Sequence, residues 1–188
     1  MIVRFTLNRL LVNNMDHEHF MRLALDEAGQ ALQSNEFPVG CVIAANDTIL
    51  TRGHRLNSNA ADNVNEMDHA EIVALRQLLN DYPDTDHGSL TVYSTMEPCL
   101  MCYATLLLNG IRTIVYGYED AMGGGTGLQL EQLAPLYRQM RVTIVPHILR
   151  QESLRLFKSF FTNPDNSYWQ DSMLAEYTLA QPLKEPAR

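Results

Sequence analysis

Three zinc-type ligands and one spare carboxylate stand in two short runs, His69-Ala70-Glu71 and Pro98-Cys99-Leu100-Met101-Cys102. Cys99 and Cys102 are one helical turn apart, so both sulfurs can meet a single ion. Pro98 suits the first position of that helix, where its missing N–H costs nothing. A helix N-terminus favours negative charge and so favours thiolates. A structural zinc site is closed by four protein ligands, whereas a catalytic one keeps three and leaves a position for water. His69, Cys99 and Cys102 make three, and two thiolates neutralise the ion. Zinc lowers the pKa of a bound water toward about 7. Glu71, two residues beyond His69, is placed to face that water instead of the metal and to carry its proton to a leaving group. The chemistry expected is metal-assisted hydrolysis with a resident proton carrier. The bland alternative is a structural zinc clip. It would need a fourth ligand from His17, His19, His54, His87 or His147, each of which reads as a surface or core histidine.

Something must hold two helix starts together. Apolar residues at helical spacing predict a helix over residues 17–35, with Phe20, Leu23, Ala24, Ala28, Ala31 and Leu32 on one face. Residues 40–45 and 49–54 read as a hairpin turning at Asn46-Asp47. A helix over 69–80, a strand over 90–94, a helix over 98–109 closed by Gly110, and strands over 111–116 and 142–145 follow. Residues 130–139, 151–161 and 168–179 read as further helices. The alternation predicts an α/β fold, a mixed sheet of about five strands sandwiched by helices. Cys41, alone in an apolar run, reads as a small buried strand residue. The glycines at 123–125 and 127 lack the strand–helix context and Lys-Ser/Thr of a phosphate cradle, so they read as a loop near the site.

The chain has 188 residues, 46% of them hydrophobic and 19% charged, an ordinary balance for one domain. The expected division is an N-terminal extension over 1–14, a core over 15–161 and a C-terminal extension over 162–188, the last few residues, from Pro182, forming a frayed tail. No run is long and apolar enough to span a bilayer, and the first residues lack the features of a signal peptide, so a cytoplasmic protein is expected. Three cysteines suit a metal site better than a disulfide framework. The net charge is −8, and of the 14 basic residues only Lys158 and Lys184 are lysines. Proteins that grip nucleic acid usually show a basic patch, and this sequence shows none, which speaks against a nucleic-acid partner.

His-x-Glu followed by Pro-Cys-x-x-Cys resembles the signature of the zinc-dependent cytidine deaminase superfamily. The resemblance is nearest to the branch of tRNA adenosine deaminases, guanine deaminases and fungal cytosine deaminase. It runs from about Met15 to Phe161 and includes Phe37-Pro38-Val39-Gly40, Asn57, residues 69–75, residues 95–102, Ile114-Val115-Tyr116-Gly117 and Asp120. It implies a three-layer α/β/α sandwich around five strands and a single zinc on His69, Cys99 and Cys102. Glu71 becomes the proton shuttle, and the chain a homodimer. Substrate contacts are implied for Asn57, for the backbone N–H groups of Ala70 and Cys99, and for Phe37 and Trp169. The implied reaction is hydrolytic deamination: water attacks the ring carbon bearing an amino group, and Glu71 protonates the ring nitrogen and then the departing amine.

Relative to tRNA-editing members, the loop over 58–68 carries Asp62, Glu66 and Asp68 and no basic residue. Residues 160–167 likewise lack the basic run of the editing enzymes, and the chain continues through Tyr168 and Trp169 to Leu179. The extension is reminiscent of branches whose C-terminal aromatic segment covers the pocket of a free base. For Tyr168, Trp169, Leu174 and Tyr177 the favoured reading is simple packing of the last helix onto the body or a dimer mate, with Trp169 the candidate for a lid or stacking role. A small nucleobase or related amino-heterocycle or nucleoside is therefore the expected substrate. The alternatives are adenosine in tRNA and, from another class, a zinc-stabilised binding module without turnover.

Overall fold

Alternating side chains on three buried strands give the sheet two apolar faces, and each face has its own helices. The computed structural model describes residues 3–59 and 64–184. The acidic Asp62 and the end of the tail, residues 185–188, lie outside the described residues. Strands β1 (Gly40–Ala45) and β2 (Thr48–His54) form the hairpin, with Asn46 in the left-handed region at φ 51° and a bulge between Ile43 and Ala44. Asparagine tolerates that conformation better than most residues. Strand β3 (Leu90–Met96) pairs antiparallel with β1, while β4 (Thr113–Tyr118) and β5 (Thr143–Val145) continue in parallel. The order is β2-β1-β3-β4-β5, the expected mixed sheet of five strands.

The helices are α1 (Val3–Gln33), α2 (Ala70–Asp81), α3 (Leu100–Leu108), α4 (Pro135–Arg138), α5 (Arg150–Thr162) and α6 (Met173–Ala180). Cys41, Ile43, Val92 and Ile114 share one cluster with Ala74, Leu75 and Leu78 of α2 and Leu106 and Leu107 of α3. Val42, Ala44, Tyr93 and Val115, one residue out of phase, meet Phe20, Met21 and Ala24 of α1. That two-residue period is what makes the three-layer sandwich. Cys41 is fully buried, as its apolar neighbours predict. Gly53 brings α2 close to the hairpin: a Cβ there would lie 2.7 Å from the Ala70 carbonyl oxygen and 2.8 Å from the Ala74 nitrogen. No larger residue fits without pushing away the helix that starts at the metal motif.

Several boundaries differ from expectation. Helix α1 runs back to Val3, so most of the supposed extension over 1–14 is the first part of this helix. The single helix expected over 130–139 is broken into a 3-10 turn at Leu130–Gln132 and the short α4. Pro135 explains the break, because proline drives the residue before it out of the helical region, and Ala134 has ψ 155°. Helix α3 begins at Leu100, with Cys99 as its N-cap and Pro98 outside it. The C-terminal helix expected from Tyr168 starts only at Met173, where the Ser172 side chain accepts a hydrogen bond from the Ala175 N–H. The described part of the tail is tied down: the Lys184 N–H donates to Gln151 and its carbonyl accepts from Arg155.

Candidate active site

His69 and Cys99 are the N-caps of α2 and α3, both in extended backbone. Their carbonyls accept the first helical bonds, from Val73 and Tyr103, but neither side chain caps its helix. Both side chains turn toward a common point instead. His69 Nδ1 lies 3.5 Å from Cys99 Sγ and 3.4 Å from Cys102 Sγ. Tetrahedral zinc with ordinary Zn–S and Zn–N bonds would set such S···N separations at about 3.6 Å. This is the one group of three His, Cys, Asp or Glu side chains drawn together for a metal among the described residues. The other histidines are engaged elsewhere: His54 with Glu27, His87 with the Asn109 carbonyl, His17 with Tyr93, His147 with Glu119, and His19 against the Phe20 ring. Among the described residues no fourth ligand joins the three, the arrangement of an open site.

Glu71 sits in the first turn of α2, 3% exposed. Its Oε1 accepts from Ser94 Oγ at 2.9 Å, and its Oε2 lies 3.5 Å from Cys102 Sγ. Burial raises the pKa of this carboxyl above its ordinary value, with the nearby His69 charge opposing. That shift is in the direction a proton shuttle needs, since it makes the carboxyl a better proton acceptor. The thiols behave as a pair. Cys99 is lowered to about 4, chiefly by the hydrogen bond from Cys102, while Cys102 is pushed far up by the same bond and by burial. Burial pulls His69 down, but its hydrogen bond with Cys99 and the Glu71 charge outweigh this, and its pKa is raised.

A cavity of about 330 Å³ opens onto these groups. That lies at the small end of the range for small-molecule sites. Phe37, Ala70 and Trp169 line it, together with Met96, Asp120 and Leu174. Asn57 does not: it is exposed, and its side-chain N–H donates to Asp68 at 2.9 Å. Trp169 is 44% exposed and has φ 56°, and its ring meets Tyr168, which packs edge-on against Phe37. The C-terminal segment therefore forms a wall of the cavity. The glycine-rich loop also borders it. Glu97 accepts from the Asp120 and Thr126 N–H groups and from the Thr126 hydroxyl. Gly125 donates to the Pro98 carbonyl at 2.9 Å, and a Cβ on it would lie 2.8 Å from the Leu100 backbone. The loop is thus zipped onto the metal turn.

Sequence reasoning passed over Arg55, Glu66, Ser94 and Glu97. Only Glu97, the acidic residue directly before Pro98, carried a local signal. Arg55, which also lines the cavity, is 2% exposed, a placement that nothing in its sequence neighbourhood announces.

Residues 14–118 match the profile of the cytidine and deoxycytidylate deaminase zinc-binding region. A tRNA-specific adenosine deaminase of Rickettsia felis is 32% identical over 143 residues, 75% of this chain and 97% of that protein. A tRNA-specific adenosine deaminase subunit of Schizosaccharomyces pombe is 29% identical over 150 residues; the match takes in 77% of this chain but only 37% of that longer protein. Among solved structures, a tRNA:A34 deaminase studied for A-to-I editing at the wobble position superposes with a TM-score of 0.61. It is 27% identical, over 73% of this chain and 98% of that one.

Proposed function

The chain belongs to the cytidine and deoxycytidylate deaminase family and is a zinc-dependent hydrolytic deaminase, and from that premise we propose that its substrate is adenosine in transfer RNA, converted to inosine with release of ammonia. The observation that carries the substrate is the 32% identity to the Rickettsia felis tRNA-specific enzyme over 97% of its length. Charge composition pointed away from nucleic acid, but net charge is a whole-chain quantity and says little about one face of the molecule. The zinc-binding module without turnover is set aside by family membership.

Zinc on His69, Cys99 and Cys102 supplies an activated water when bound. Every other task falls to this chain's side chains. Glu71 receives a proton and passes it to the ring nitrogen beside the amino-bearing carbon, then to the departing amine. Ser94 holds the Glu71 carboxyl at Oε1, and the second oxygen, Oε2, stands beside Cys102 on the metal side. Phe37 and Trp169 supply aromatic lining to the cavity, and the Ala70 N–H, in the first turn of α2, offers a donor. Asn57 would have to release Asp68 to reach the ring.

A free aminopurine or aminopyrimidine is the second reading, favoured by the lining itself. Glu66, Glu97 and Asp120 border the cavity, Arg55 is the one arginine or lysine among its described lining residues, and the C-terminal wall narrows the approach. Incubation with unmodified tRNA, read by nucleoside analysis, is expected to give inosine at a single position, with binding that weakens as salt rises. Absence of inosine, together with ammonia released from a free base, would transfer the assignment to the second reading.

We propose further that the protein is a homodimer. Leu100 and Leu108 on α3 are 56% and 54% exposed, and Leu136 on α4 is 61% exposed. Sedimentation is expected to give twice the 21.3 kDa chain mass, and replacing Leu100 and Leu108 by glutamate to give the monomer. A wild-type protein sedimenting as one chain refutes the dimer.

A further inference from the structure

One carboxylate touches both the metal side of the site and its C-terminal wall. Glu66 lies in the loop ahead of α2, and its Oε2 is 3.5 Å from His69 Nε2. The Tyr168 hydroxyl donates to both of its oxygens, at 3.0 and 3.2 Å. Behind it lies Arg55, whose Nη2 donates to Glu66 at 3.1 Å and whose Nη1 donates to the Asn65 carbonyl at 2.7 Å. The guanidinium also sits 5.7 Å from the centre of the Tyr168 ring, and its Nε has no hydrogen-bond partner among the described residues. A cation buried this deeply is costly without an anion beside it, and Glu66 is that anion. The arrangement is therefore held from three sides.

His69 turns Nδ1 to the two sulfurs, so its Nε2 edge is the one left facing Glu66. Histidines that bind metals are usually oriented by donating their other N–H to a carboxylate, which fixes the tautomer and raises ligand basicity. We infer that Glu66 is a positioning residue: it holds His69 with Nδ1 free for zinc, and the same carboxylate clasps Tyr168, coupling the C-terminal wall to the metal site. The inference rests on the zinc site and is independent of the substrate.

Competition for zinc against a chromophoric chelator tests the first half. Glu66→Gln keeps an acceptor for Arg55 and Tyr168 and is expected to weaken zinc binding about 10-fold, and Glu66→Ala up to about 100-fold. Glu66→Ala leaves Arg55 unpaired, so the double variant Arg55→Met/Glu66→Ala keeps the measurement readable if the single one does not fold. Hydrogen exchange tests the second half. Glu66→Ala, or the double variant in its place, and Tyr168→Phe are both expected to speed amide exchange over residues 167–172. Tyr168→Phe is expected to leave zinc affinity unchanged. Zinc affinity at the wild-type level in both Glu66→Gln and the double variant overturns the positioning role. Unchanged exchange in Tyr168→Phe overturns the clasp. Failure of the wild-type protein to bind zinc would remove the site itself and is read directly in the same titration.

Discussion

Glu71→Gln is expected to lower turnover by about 10²–10⁴-fold or more while one zinc stays bound per chain. The side chain is buried at the base of the cavity, and glutamine has nearly its shape and can still accept from Ser94. What glutamine cannot do is take a proton and return it. The thermal midpoint is expected to be unchanged or higher, because burial already disfavours the charged carboxylate at this position. That separates a shuttle from a structural acid: a structural role would show as lost zinc or a lower midpoint. Metal analysis, melting and single-turnover rates on one preparation check all three. Turnover within about tenfold of wild type would refute the shuttle.

The groups proposed for this chemistry were legible because each sits in a short motif whose spacing the chemistry dictates. His69 and Glu71 are two residues apart, and Cys99 and Cys102 three, since one helix start must present each pair to one point. The strands were legible for a similar reason: residues 41–44, 92–93 and 114–115 alternate between two faces, and period two is a local property. Less could be read where contacts are distant. Tyr168 reaches Glu66 across 102 positions, and no local pattern links an aromatic residue after α5 to a loop before α2. Arg55 looked like one more scattered arginine, yet burial makes it the fixed charge of that corner. For Asn57, the left-handed backbone at φ 58° and the hydrogen bond to the Asp68 carboxylate are likewise set by the folded loop and carry no local sequence signal. Helix α1 ran past its expected start because its N-terminal stretch carries no stop signal that sequence reading could use.

Cys102→Ala is expected to remove zinc and turnover together, since a catalytic site at its minimum of three protein ligands has none to spare. The alanine is smaller and apolar, in a position that is fully buried, so the fold itself should survive. The loss is readable without substrate. At free zinc a hundred times its dissociation constant, the wild-type protein gains about 2.7 kcal/mol of stability from the ion, and the variant gains none. The pH dependence follows from the thiol pair. In the metal-free site Cys99 ionises at about 4 and Cys102 keeps its proton, so at neutral pH the pair carries one proton that zinc must displace. Zinc affinity is therefore expected to fall about tenfold for each unit the pH drops, and more steeply once His69, whose pKa is raised, also takes up a proton. A chelator titration between pH 8 and about 5.5 measures that slope. A flat profile would mean that neither the thiol pair nor His69 holds a proton that zinc must displace in this range, and would refute the protonated Cys102.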